Sequence, residues 1–145
     1  MAGVAIDGSQ ITPTIKPGHV IYEIYANYGI FGWQYAGDGS TGARITGVVS
    51  APTSKMKLSG SNVAKVGDET IEQWEAYPPI PPSNDSVQYF PRGRTFDTGK
   101  GKIISGSAKG TLEGKPIALI GSVVKTCLDT ETTIASGNDK ESFAT

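Results

Sequence analysis

The chain has 145 residues, 19 of them glycine and 9 proline, with 13 basic against 14 acidic side chains and a net charge of −1. That length allows one domain around one modest core, and the share of turn formers favours many short strands over long helices. The balanced charge gives no broad cationic footprint for phosphate backbones, which excludes nucleic acid as the expected partner.

Met1-Ala2-Gly3-Val4 lacks the basic start and apolar core of a secretory signal. No apolar run approaches the ~20 residues that span a bilayer. The expectation is a protein made in the cytoplasm that leaves the cell only as part of an assembly. Cys127 is the single cysteine, so no internal disulfide can staple the fold.

Residues 3–24 carry β-branched residues punctuated by turns, ending in Val20-Ile21-Tyr22-Glu23-Ile24-Tyr25, and predict strands. Tyr28-Gly29-Ile30-Phe31-Gly32-Trp33-Gln34-Tyr35 interleaves aromatics with glycine and leads into the turn-rich stretch 36–42, which predicts a loop or hairpin tip. These aromatics have two readings. They fill a core short of large aliphatics, the reading given more weight, or they offer stacking platforms for sugar rings.

In Lys55-Met56-Lys57-Leu58 the alternation puts Met56 and Leu58 on one face and the lysines on the other. Beyond Asp68, the spacing of Ile71, Trp74 and Tyr77 predicts a helical turn or two. Pro78-Pro79-Ile80-Pro81-Pro82 then forces an extended conformation, because each ring fixes φ and removes an N–H. Residues 71–101, with the aromatic and basic cluster Tyr89-Phe90-Pro91-Arg92-Gly93-Arg94, form a candidate insertion. From Gly101 the strand signal is clearest, with tight turns at Glu113-Gly114-Lys115. The tail from Asp139 to Thr145 is expected to fray, with Phe143 as its one apolar anchor.

Two segments repeat one another. Asn62-Val63-Ala64-Lys65-Val66-Gly67-Asp68 and Gly114-Lys115-Pro116-Ile117-Ala118-Leu119-Ile120-Gly121-Ser122 each run from a turn residue through a short apolar strand into glycine and a small polar residue. Ser59-Gly60-Ser61 and Ser105-Gly106-Ser107 precede them, and Thr132-Thr133-Ile134-Ala135-Ser136-Gly137 reads as a truncated third copy. Repetition of this kind predicts a stack of similar small units.

This pattern resembles the proline-alanine-alanine-arginine (PAAR) repeat family, whose members cap the trimeric spike of contractile phage tails and type VI secretion systems. The resemblance rests on Ala64, Lys65, Val66, Gly67 and Asp68, and on Pro116, Ile117, Ala118, Leu119, Ile120 and Gly121. Leu119 stands where the family has arginine, Ser122 where it has aspartate and Asn62 where it has proline. The resemblance implies an all-β fold: a small cone of short strands with pseudo-threefold repeats, a single domain over 1–145 with the 71–101 insertion. It implies one copy bound per trimeric spike protein, with Ile117, Leu119 and Ile120 as apolar contacts, baseplate proteins against the insertion, and transient contact with a target envelope. It also implies a structural zinc or iron ion. His19 and Cys127 are the available ligands, two of the four that a closed zinc site needs, leaving carboxylates or another chain to complete it.

Catalysis is not expected. His19 and Cys127 lack any nucleophile signature around them, and Asp7, Asp68, Glu72, Glu75, Asp129 and Glu131 show no spacing that singles out a pair. The alternative to a spike tip is a carbohydrate- or receptor-binding β domain of a phage particle using Tyr22, Tyr25, Tyr28, Phe31, Trp33 and Tyr35.

Overall fold

The structure, a computed structural model, describes residues 2–58 and 60–143, with residues 2 and 139–143 described through their backbone alone. Ser59 of the first Ser-Gly-Ser step, the end of the tail and the Phe143 anchor therefore lie outside the described residues or side chains.

The all-β expectation holds. The strands are β1 (Ala2–Val4), β2 (Thr14–Asn27), β3 (Trp33–Ser50), β4 (Lys57–Leu58), β5 (Ser61–Asn62), β6 (Glu69–Tyr77) and β7 (Val87–Pro91). They continue with β8 (Phe96–Ile103), β9 (Thr111–Leu112), β10 (Lys115–Pro116), β11 (Val123–Lys125), β12 (Glu131–Thr133) and β13 (Asn138–Phe143). Hydrogen bonding joins β12-β11-β8-β6-β3-β2-β7 in that order, while β1–β13, β4–β5 and β9–β10 form separate two-stranded ribbons.

Three local expectations are corrected. Residues 69–77 form strand β6 and not a helical turn: Thr70, Glu72 and Trp74 are buried while Ile71 and Gln73 are exposed. A charged residue at an inward position hid this period of two. Residues 36–42 continue β3 without a turn. Glycine here makes room, since a Cβ at Gly39 would lie 2.5 Å from the Tyr22 ring. The tail does not fray at residues 138–143, whose backbone pairs antiparallel with β1.

The chain forms two compact units. One comprises Met1–Thr14, Ile45–Gln73 and Thr98–Thr145; the other comprises Ile15–Arg44 and Trp74–Asp97. The stretch 71–101 is thus not an irregular insertion by itself. Its strand β7 pairs with β2 from Tyr22↔Pro91 to Ala26↔Val87, which draws residues 15–44 into the same unit. The proline-rich connector with the residues after it, 78–86, and the short link 92–95 lack strand structure there.

The first unit holds the aliphatic core. Ala5, Ile11, Val49, Ala51, Ala64, Ile103, Ala118, Val124 and Ile134 form one buried cluster. Val4, Val63, Ile117 and Leu119 form a second, against which Met56, Leu58 and Leu112 pack. Burying each such side chain contributes roughly 1.5–3 kcal/mol before the entropy of ordering the chain is counted.

In the second unit Val20, Ala43 and Trp74 are buried, whereas the aromatics expected to fill a core are not. Tyr28, Phe31, Trp33 and Tyr35 are 55%, 74%, 39% and 54% exposed. The strand aromatics pack on one another edge to face, Tyr25 against Tyr35 at 5.7 Å and against Phe90 at 5.5 Å, and Tyr22 against Tyr89 at 5.7 Å. Alternation along β2 and β7 divides these rings between the two faces of the strands, Tyr22 with Tyr89 on one and Tyr25 with Phe90 and Tyr35 on the other.

Candidate functional site

Three short stretches of the first unit close a ring. The amide of Ala5 donates to the carbonyl of Ala118, that of Ala118 to Ala64, and that of Ala64 to Ala5, each at 2.9 Å. A second cycle surrounds the first: Asp7 N–H to Asn62 O at 2.8 Å, Val66 N–H to Pro116 O at 2.9 Å, and Ile120 N–H to Gly3 O at 2.8 Å. Antiparallel bridges Val4↔Leu119, Ile6↔Val63 and Lys65↔Ile117 complete the triangle. Each strand therefore pairs with both others, and a pseudo-threefold axis runs between them.

The residue types follow from this geometry. Ala5, Ala64 and Ala118 are all fully buried in one cluster, where close packing favours a small side chain at each position. Each strand then turns sharply. Ser9, Asp68 and Ser122 donate their amides back to Ile6, Lys65 and Leu119 at 2.9, 3.1 and 2.9 Å. Their side-chain oxygens accept from the amides of those same residues at 2.9, 3.0 and 2.9 Å. The residue between, Gly8, Gly67 or Gly121, has φ of 89°, 96° or 96°, the left-handed value such a turn requires at its third position. Ser122 thus performs the same turn-closing bond as Asp68.

Each turn is clamped by a buried β-branched residue from later in the chain: Val49 in β3, Ile103 in β8 and Ile134 just past β12. Val49, Ile103 and Ile134 accept from the glycine amides of the three turns at 2.8, 2.9 and 2.8 Å. They donate back to Ser9, Asp68 and Ser122 at 2.7, 3.0 and 3.0 Å. A two-stranded ribbon leads into every repeat: β13–β1 into the first, β4–β5 into the second and β9–β10 into the third.

The three repeats are consequently residues 3–9, 62–68 and 116–122. Residues 132–137, read from sequence as the truncated third copy, are instead the clamp of the last repeat through Ile134. The true first copy, Gly3-Val4-Ala5-Ile6-Asp7-Gly8-Ser9, was legible as an alanine followed three residues later by glycine and a hydroxyl. It was missed because it has neither the Lys-Pro step nor the Ser-Gly-Ser lead, which the turn does not need.

The predicted contact residues separate by burial. Ile117, Ala118 and Leu119 are buried, Ile120 is half-buried and Pro116 and Gly121 are exposed. Ile117 and Leu119 are therefore core of this unit and not a free apolar contact surface. In the second repeat Val66 packs on the central cluster, while Lys65 breaks the symmetry with a charge. Its ammonium meets Asp68 at 3.0 Å and Glu113 at 3.3 Å. The hydrogen bond that the ammonium donates to Asp68 raises the Lys65 pKa above its usual 10.5.

His19 and Cys127 fall in different units. His19 is exposed on β2, its ring edge-on to Trp74 at 4.8 Å. Cys127 is half-buried, and its amide donates to the Glu72 carboxylate at 2.7 Å. Among the described residues no three His, Cys, Asp or Glu side chains gather as a metal ion needs. The donor set for the implied zinc or iron ion is not assembled among the described residues. Among the described residues no helix is long and apolar enough to cross a membrane.

In the second unit, polar groups flank the exposed rings. Arg92 reaches Asp38 at 2.8 Å and Glu23 at 3.3 Å, and the Tyr35 hydroxyl donates to Asp38 at 2.7 Å. That bond to Asp38 raises the Tyr35 pKa, because ionising the phenol would break it and set two anions together.

Comparison with protein-family models, with curated proteins and with solved structures returns no match to this chain.

Proposed function

We propose that the chain is the tip protein of a contractile injection machine, one copy capping the end of a trimeric β-helical spike and narrowing it for envelope penetration. The observation that carries this reading is the cyclic hydrogen-bond triad of Ala5, Ala64 and Ala118. It gives a single polypeptide a pseudo-threefold axis, the symmetry needed to meet three identical subunits at once. The three ribbons, one leading into each repeat, support the same reading, since each can meet one subunit's last strand and cover an edge otherwise open to aggregation. The residue pattern shared with PAAR repeats adds to it.

The experiment is stoichiometric. Mixed with the trimeric spike protein from the same source and measured by native mass spectrometry, the chain binds at one copy per trimer. Three copies per trimer, or no complex, overturns the proposal.

A second reading belongs to the second unit. Exposed rings such as Tyr35 and Phe90, with the half-buried Tyr25 packed against both, beside the Glu23 and Asp38 carboxylates and the Arg92 guanidinium, are the chemistry that recognises sugars: stacking on one face, hydrogen bonds at the hydroxyls. Saturable binding of envelope glycans by titration calorimetry, lost in Tyr35→Ala, would establish this function, and a flat titration dismisses it.

A further inference from the structure

The turn between β2 and β3 presents apolar side chains outward with nothing folded over them. Ile30 is 96% exposed and Phe31 74%, the two adjacent residues at the summit of a 3-10 turn, Gly29–Phe31. Tyr28, Trp33 and Tyr35 stand on its shoulders at 55%, 39% and 54% exposure. From Asn27 to Gly37 there is no charged residue.

This presentation is built in. The Tyr28 amide donates to the Gly32 carbonyl at 3.0 Å and the Gly32 amide to Gly29 at 2.9 Å. The Asn27 side chain accepts from the Gly29 amide at 2.9 Å, and Gln34 Nε2 donates to the Phe31 carbonyl at 2.8 Å. Four bonds hold a two-residue apolar summit away from the chain's own core, against the hydrophobic effect that would fold it inward.

We propose that this turn is a prong for a lipid bilayer surface. Ile30 and Phe31 enter the boundary between headgroups and acyl chains, and Tyr28, Trp33 and Tyr35 sit at headgroup level. Charge and exposure choose this occupant. Hydrocarbon rejects any charged group, and the segment carries none across its whole length. Tyrosine and tryptophan, apolar rings with one polar atom, match the wet side of that boundary. The summit stands exposed, whereas a protein partner's rim would call for charged groups that this turn lacks. Asp85, whose carbonyl accepts from the Asn27 side chain at 3.1 Å, brings an acidic residue to the base of the turn. Insertion is therefore shallow. The proposal does not depend on the spike-capping reading.

The test uses the intact chain with uncharged phosphatidylcholine vesicles. Trp33 is the exposed tryptophan and Trp74 is 8% exposed, so a blue shift on vesicle addition reports Trp33. The shift is expected to persist at high salt, because no charge drives it. Replacing both Ile30→Ser and Phe31→Ser removes only exposed side chains. It is expected to weaken vesicle partitioning about tenfold or more, with circular dichroism and spike stoichiometry unchanged. Failure of the intact chain to partition, or equal partitioning by the double variant, overturns the proposal. So does loss of whole-cell binding in the variant when the intact chain ignores vesicles, which would assign the turn to a protein receptor.

Discussion

The amide of Ala64 donates to the carbonyl of Ala5 at 2.9 Å, so the second repeat is positioned by the first through one backbone bond. The same bond recurs from Ala118 to Ala64 and from Ala5 to Ala118. A ring of this kind is cooperative in geometry: moving one strand lengthens bonds on both sides. Because the ring joins segments from both ends of the chain, most of its energy is gained only when all three have arrived.

Enlarging the centre of the ring is expected to be costly. Ala118→Val adds two methyl groups where three fully buried alanines share one cluster, and is predicted to destabilise by about 1–3 kcal/mol. Urea unfolding measures this. Combining it with Ala5→Val should depart from additivity, since the two crowd one cluster. Additive losses would show that the three alanines relax independently.

The turn-closing hydroxyls are predicted to be equivalent. Ser9→Ala and Ser122→Ala each leave a repeat's strand amide without its side-chain acceptor at a site 3% or 7% exposed. Each is expected to cost about 1–2 kcal/mol. Thermal melts of the two variants should nearly coincide. A large difference would mean that the repeats are alike in backbone only.

Gly101 is predicted to tolerate no side chain. A Cβ there would collide with the Glu72 carboxylate and lie 2.5 Å from the Lys125 carbonyl and 2.7 Å from the Thr70 hydroxyl. Those groups are fixed, since Glu72 accepts from the Thr70 hydroxyl and from the Cys127 amide. Gly101→Ala is expected to lose about 3 kcal/mol or more, read as a drop in urea midpoint. Near-native stability would show that Glu72 is free to move aside.

Lys65 makes stability fall at high pH. Its folded pKa lies above its ordinary value of 10.5, first because Asp68 accepts its hydrogen bond. The contribution is therefore fully present below that ordinary value and is lost as pH rises through the folded value. Lys65→Met should flatten this alkaline limb of a stability profile while leaving the neutral region's slope unchanged. An unaltered limb assigns it to other groups.

Tyr35 offers a spectroscopic check on the second unit. The Asp38 carboxylate holds its phenol protonated above the ordinary 10.0. Asp38→Asn is expected to return the Tyr35 ionisation, followed by ultraviolet absorbance against Tyr35→Phe, toward the ordinary value. No change would place the phenol away from Asp38 in solution.

Two of the three repeats were legible because Val63-Ala64 and Ile117-Ala118 lead into Gly67 and Gly121 at identical spacing. The first was legible in principle at Val4-Ala5 and Gly8. Its signature is a small residue and a left-handed glycine, the two things the ring and turn physically demand, and it was obscured by attention to the flanking Lys-Pro and Ser-Gly-Ser steps. Glu72 misled in the other direction. A carboxylate at an inward position breaks the apolar alternation of β6, and only the Thr70 hydroxyl and the Cys127 amide make that burial tolerable. The outward placement of Tyr28, Phe31, Trp33 and Tyr35 was not legible, because periodicity says which rings share a side and not which side is covered.

By itself the sequence determined the β class, the glycine turns that close the second and third repeats, and the repeated unit, since strand alternation, glycine conformation and side-chain-closed turns are local properties of a few adjacent residues. Only the tertiary structure decided that the repeats close into a ring, that the first repeat is residues 3–9, and that His19 and Cys127 belong to separate units. Those outcomes depend on hydrogen bonds between segments far apart along the chain, for which no local pattern carries the partner's address.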